Sequence, residues 1–237
     1  MTLLLEVCID SVAGALAARE GGADRLEVVG CLARGGITPS FGLVEQCVAD
    51  VGLPVMMMIR PHDGNFAVTP RDMDTMLTDI EAAKSVGANG VVLGTLTPTG
   101  EIDVTACKEL VAAADTLDVT FHRAFDLVTE PAVALEQLIE LGCHRVLTSG
   151  QQASAERGIS LLGQLHRQAE GRIQILPGAG INPDNAATIV RQTGVREIHA
   201  SASVASPTEH GDALGLAWAR RETCAQRVRA IKDAINA

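Results

Sequence analysis

The stretch Thr120-Phe121-His122-Arg123-Ala124-Phe125-Asp126 puts a proton carrier, an anion clamp and a carboxylate within five residues. An apolar, strand-like run from Val119 to Phe121 leads into it. Charged groups are costly to bury but useful at a strand end, where a loop opens them to a ligand. The structural alternative is that Arg123 and Asp126 pair at a rim and His122 is a satisfied core histidine.

Further candidates lie at the carboxyl ends of other apolar runs. Glu6 and Cys8 close the first run and share a face by period-two alternation. Glu27 lies in the second run and Arg60 ends the third. Thr148, Ser149 and Gly150 end the sixth, Gly178 and Gly180 follow the seventh, and His199, Ser201 and Ser203 end the eighth. The opposite ends carry mainly turn residues. Proton exchange falls to Glu6, Glu27 and His122, with Arg123 and Asp126 completing a catalytic set. Arg60, Arg123, Ser149, His199 and Ser201 are anion-binding candidates. The turn Pro177-Gly178-Ala179-Gly180-Ile181 can add backbone N–H groups to such a site. A purely structural network of Glu6, Glu27 and Arg60 is the alternative, because neighbouring carboxylates repel unless an arginine, a metal or a proton lies between them.

Soft ligands point to a different chemistry. Met56-Met57-Met58 could offer thioethers to Cu(I), but alternation sends Met57 to the opposite face, as in a buried strand. Cys8 ends the first run and Cys31 follows the second, so two thiolates could meet as a Cu(I) site. The six histidines are scattered without zinc-binding spacing.

The elements that would position these residues alternate along the whole chain. Strands are predicted at Leu3–Cys8, Arg25–Val29, Val55–Arg60, Gly90–Leu96, Val119–Phe125, Arg145–Ser149, Ile173–Pro177 and Glu197–Ala202. Each is rich in Val, Ile or Leu, as a strand covered on both faces should be. Asp103 and Asn182-Pro183 read as helix starts. Glycines at 22, 87, 142 and 194 each precede a strand, the device that ends a helix and feeds the next strand. Eight such units predict a closed (β/α)8 TIM-type barrel, one α/β domain over residues 1–237. An open doubly wound sheet would show a glycine-rich turn after its first strand; here that turn is Cys8-Ile9-Asp10-Ser11.

Composition narrows the partners. The 237 residues carry a net charge of -10 and only 2% aromatics, with no Tyr. Nucleic acid is therefore not an expected partner, whereas a small anionic metabolite in a local basic pocket is compatible with this charge. The stretch from Met1 to Cys8 has no signal-peptide pattern, and no apolar run is long enough to span a bilayer. Without C-x-x-C spacing, the six cysteines are expected as free thiols, with Cys47 and Cys107 in helix cores.

Taken together, these motifs resemble the CutC copper homeostasis family. The resemblance rests on Leu5-Glu6-Val7-Cys8, Gly22-Ala23-Asp24-Arg25-Leu26-Glu27, Gly35-Gly36-Ile37-Thr38-Pro39-Ser40 and Ile59-Arg60-Pro61. It extends through Thr120–Asp126, Arg145–Gln151 and Gly178-Ala179-Gly180, nearly the full length. It implies a cytoplasmic TIM-type barrel, a homo-oligomer, with copper(I) as its ligand. Members often carry a cysteine two residues after the glutamate matching Glu27; here that position is Val29. His62 stands where many members have a second basic residue, which would make the local anion grip pH-sensitive.

Overall fold

The computed structural model describes residues 3–205 and 221–237; the first two residues of the Met1–Cys8 stretch lie outside them. The first half runs β1 (Leu4–Ile9), α1 (Val12–Gly21), β2 (Arg25–Val28), α2 (Phe41–Val51), β3 (Val55–Met58), α3 (Pro70–Val86), β4 (Gly90–Leu93) and α4 (Val104–Ala114). The second half runs β5 (Asp118–Phe121), α5 (Pro131–Glu140), β6 (Arg145–Thr148), α6 (Ile159–Ala169), β7 (Gln174–Pro177), α7 (Ala186–Thr193) and β8 (Glu197–Ala200). A short antiparallel ribbon, β9 (Ser203–Ala205) with β10 (Arg221–Thr223), then leads to α8 (Ala225–Asn236).

The eight strands are parallel and ordered β7-β6-β5-β4-β3-β2-β1-β8. β7 and β8 pack beside each other, so the sheet curls into the expected TIM-type barrel. Parallel strands need helical crossovers, and here the helices cover the outer face. Alternation divides the apolar residues into two sets. Leu5, Val7, Ile9, Leu26, Val28 and Met57 belong to the large core under the helices. Cys8, Val29, Met56, Met58 and Val92 form a separate cluster. Met57 thus parts from its neighbours, as alternation requires.

Local chemistry explains most boundaries. Gly22 and Gly87 end α1 and α3 in the left-handed conformation, at φ 89° and 80°, where a side chain would be strained. Asp103 caps α4, accepting the Ala106 N–H at 3.0 Å. Gly21 has a different reason: a Cβ there would lie 2.4 Å from Val228 Cβ, so glycine permits the close approach of α8 to α1. Lys232 of α8 then donates to Leu3 O at 2.7 Å, tying the carboxyl-terminal helix to the start of the chain.

Several expected boundaries shift. The fifth strand ends at Phe121, four residues early, because His122 Nδ1 accepts the Ala124 N–H at 3.3 Å and starts a 3-10 turn over Arg123–Leu127. The fourth ends at Leu93, and Leu96 instead bridges Ile102. Asn182 does not cap α7. Its Oδ1 accepts the Asp184 N–H at 2.9 Å, building a turn that delays the helix to Ala186.

Candidate active site

The lowest layer inside the barrel is ionic. Register places Glu6 beside Arg25 on one side and His199 on the other. Arg25 Nε donates to Glu6 Oε2 at 2.5 Å, and its Nη2 donates to Glu197 Oε2 at 2.7 Å. Arg145 continues the chain, donating to Glu197 at 3.1 Å and to Asp118 at 2.8 Å. The alternative network of Glu6, Glu27 and Arg60 is therefore corrected: Arg25, not Arg60, meets Glu6. Burial pushes the Glu6 carboxyl up, but Arg25 and then His199 outweigh it and hold it at about 2. Glu6 is fully buried and lies outside the cavity lining.

Above this layer sit Cys8, Glu27 and His199. One ligand atom from each lies within 4.8 Å of the other two. His199 Nδ1 is 2.8 Å from Glu6 Oε1, and its Nε2 is 3.8 Å from Glu27 Oε2. Glu27 Oε1 is buried and has no hydrogen-bond partner among the described residues. Burial raises the Glu27 carboxyl; the His199 charge opposes this and the Glu6 charge adds to it. The His199 ring is raised despite burial, because Glu27 and Glu6 favour its cation. Burial and the adjacent Glu27 push the Cys8 thiol well up, which keeps it protonated.

These three residues form the inner end of a cavity of about 690 Å³. Among the described residues its lining includes five arginines: Arg34, Arg60, Arg123, Arg221 and Arg227. A chain of net charge -10 has thus gathered a basic mouth at the carboxyl ends of its strands. Arg60 is fixed by donating to Gly36 O at 2.9 Å and to Gly64 O at 3.0 Å. Its guanidinium lies 4.8 Å from the Phe66 ring centroid. The same ring is 4.9 Å from the His122 ring. His122 is buried, and burial together with the Arg60 charge lowers its pKa to about 3.

The rest of the opening motif binds its own loops. Asp126 accepts from Arg123 Nε at 2.8 Å, from Thr148 Oγ1 at 2.5 Å and from the Ser149 N–H at 2.9 Å. It clamps the β5 exit to the β6 exit, while Arg123 remains half-exposed at the mouth. Ser149 donates to Gln152 O at 2.6 Å and lies outside the lining.

The structure therefore brings Cys8, Glu27, Arg60, His122, Arg123, Asp126, Gly180, His199 and Ser201 to one cavity. It does not bring Cys31. That residue turns through a left-handed conformation, φ 50°, and ends exposed outside the Cys8 group. The Gly178 N–H donates to Thr148 O at 3.0 Å in the barrel wall, which corrects its expected use for an anion. A Cβ at Gly178 would lie 2.6 Å from Leu147, so this glycine makes room inside the barrel. His62 points to Asp72, 3.7 Å away, and does not line the cavity. Sequence inspection missed Arg25 and Phe66. Arg25 was within reach, because it stands two residues before Glu27 on the same strand face. Phe66 sits in the loop before α3, where no periodicity marks it.

Comparisons with known proteins follow the same outline. Residues 3–204 match the model of the CutC family. A family protein CutC from Histophilus somni is 52% identical over 198 residues, 84% of this chain and 82% of the relative. A human relative named copper homeostasis protein cutC homolog is 47% identical over 84% of this chain and 73% of its own length. The crystal structure of CutC from Streptococcus agalactiae superposes with a TM-score of 0.80 at 31% identity, over 84% of this chain and 99% of that one. With its sequence, its barrel and its strand-end motifs all in agreement, this chain belongs to the CutC family.

Proposed function

We propose that this barrel is an enzyme that binds a small anionic metabolite and moves protons on it through Glu27 and His199. One observation carries this function: an unpartnered buried carboxylate oxygen beside an imidazole, at the inner end of a cavity ringed by arginines. Buried acid–base groups with perturbed pKa values, facing a concave pocket, are the usual signature of such a site. Arg60 and Arg123 meet the anion, Glu27 and His199 exchange the proton, Glu6 fixes the His199 ring, and Asp126 holds the loops that carry Arg123. Gly180 and Ser201 line the same mouth. Small molecules released from protein purified without added ligand test this. An anionic compound should leave the wild type and be absent from Arg60→Ala, while Glu27→Gln should bind it without converting it. Retention that is indifferent to Arg60→Ala sinks the assignment.

Copper is the second function, favoured by the Cys8, Glu27 and His199 group and by the human relative's name. The residues fit a metal ion: a thiol, an imidazole and a carboxylate converge, and Met56 and Met58 share a cluster with Cys8. Cu(I) would take the sulfur atoms and the imidazole, without Cys31. Metal analysis of reductively purified protein separates the two functions. Copper retained by the wild type and lost from Cys8→Ser supports the metal; equal retention refutes it. Either function is assigned to one domain, residues 1–237, supported by the single barrel sheet. A cytoplasmic homo-oligomer is supported by the family resemblance alone.

A further inference from the structure

We infer that His122 is a neutral hydrogen-bond donor which, together with Arg60, holds an acceptor oxygen of the ligand, so that the cavity takes a small acid bearing a carbonyl or carboxyl oxygen. This rests on the cavity being the substrate site. His122 Nδ1 is already occupied, since it accepts the Ala124 N–H at 3.3 Å. The proton of the neutral ring must then sit on Nε2. Nε2 is buried and has no hydrogen-bond partner among the described residues, although His122 lines the cavity. A buried donor left without a partner is costly, so its persistence points to a ligand that completes it.

Arg60 repeats the pattern. Both of its terminal nitrogens are tied to backbone carbonyls, while its buried Nε is without a partner among the described residues. Phe66 touches both groups, stacking under the Arg60 guanidinium and tilting against the His122 ring. Phe121 meets the imidazole edge-on at 5.8 Å. Gly94 provides the space for the ring, because a Cβ there would lie 2.8 Å from its Cε1 and Nδ1. The ring is therefore held in place with one buried N–H unpartnered among the described residues.

Its other charged neighbours are Arg123 and Asp126 on its own turn, and Glu27 and His199 across the cavity. Burial and Arg60 disfavour the imidazolium, so the donor carries no charge of its own. Such a donor polarises an oxygen without neutralising it, which suits an oxygen that gains negative charge during reaction. Charge neutralisation is left to the arginines. The role differs from the proton exchange expected of His122 from sequence.

Two measurements test this. In 15N NMR of the wild type, His122 should show a protonated Nε2 and an unprotonated Nδ1, unchanged from about pH 8 to about pH 5. A reversed tautomer, or titration near the ordinary histidine value, overturns the inference whatever the cavity binds. Oxalate, a planar acid with adjacent acceptor oxygens, is the binding probe. By calorimetry it should bind the wild type, weaken about tenfold or more in His122→Ala, and recover most of that loss in His122→Gln, which keeps an N–H donor. Equal binding by wild type and His122→Ala overturns the donor role while leaving an anion site at the arginines intact. No binding by the wild type overturns the acceptor-oxygen class.

Discussion

Arg25→Met would strand the buried carboxylate of Glu6, while Glu197, which shares the same guanidinium, would keep Arg145. Arg25 is only 4% exposed and donates to Glu6 at 2.5 Å and to Glu197 at 2.7 Å. Removing one partner of a buried ion pair costs about 3–5 kcal/mol, most of it from stranding the remaining charge. Glu6 gives this cost a pH dependence. Its folded pKa of about 2 lies below the reference value of 4.5. A depressed carboxylate stabilises the fold above the unfolded pKa and loses that contribution as pH falls toward the folded one, about 3 kcal/mol in all. Without Arg25, burial is opposed mainly by His199, the carboxyl moves up, and acid relieves the variant instead of harming it. The gap in urea stability between wild type and Arg25→Met should therefore be several kcal/mol at about pH 7 and fall by about half or more by about pH 4. Far-UV circular dichroism during urea unfolding measures it at both pH values. Adding Glu6→Gln to Arg25→Met should recover part of the loss at neutral pH. A gap of equal size at both pH values would refute the claim that the stranded Glu6 charge is the cause.

Three other outcomes follow from contacts around the mouth. Gly94→Ala places its methyl against the His122 ring, and overpacking of this kind costs about 1–3 kcal/mol; an unchanged melting curve with an unchanged His122 NMR signature would show that the ring has spare room. Asp126→Asn loses the charge on a carboxylate that serves Arg123, Thr148 and the Ser149 amide, so hydrogen exchange should quicken across residues 148–151; protection equal to wild type argues that the clamp is dispensable. His122 has a folded pKa of about 3 against 6.5, so its contribution is intact above 6.5 and declines as pH falls toward 3. His122→Gln should flatten the fall of stability over that window, and a slope identical to wild type would contradict a ring kept neutral by burial.

The barrel was legible because its strands are buried on both faces and read as short apolar runs closed by glycine-ended helices. Strand-end position also picked out much of the cavity: Cys8, Glu27, Arg60, His122 and His199. Cross-strand pairing was not legible. That Arg25 and not Arg60 meets Glu6 depends on the register between β1 and β2, and a single strand's alternation does not encode it. Loop contributions were hidden for a related reason. Phe66 and Cys31 lie where backbone turns decide direction: the first turns toward His122, while the second leaves β2 with φ 50° and faces outward.

The separation of the two apolar clusters has a consequence for how such a barrel can change. The residues that stabilise the shell and the residues that face the lumen occupy alternating positions of the same strands. Substitution at Cys8 or Met58 alters the lining of the chamber while leaving Val7, Ile9 and Met57 seated under the helices. Val29 belongs to this inner set, so a change there also leaves the shell in place. The chemistry of this lumen can therefore change at nearly constant architecture.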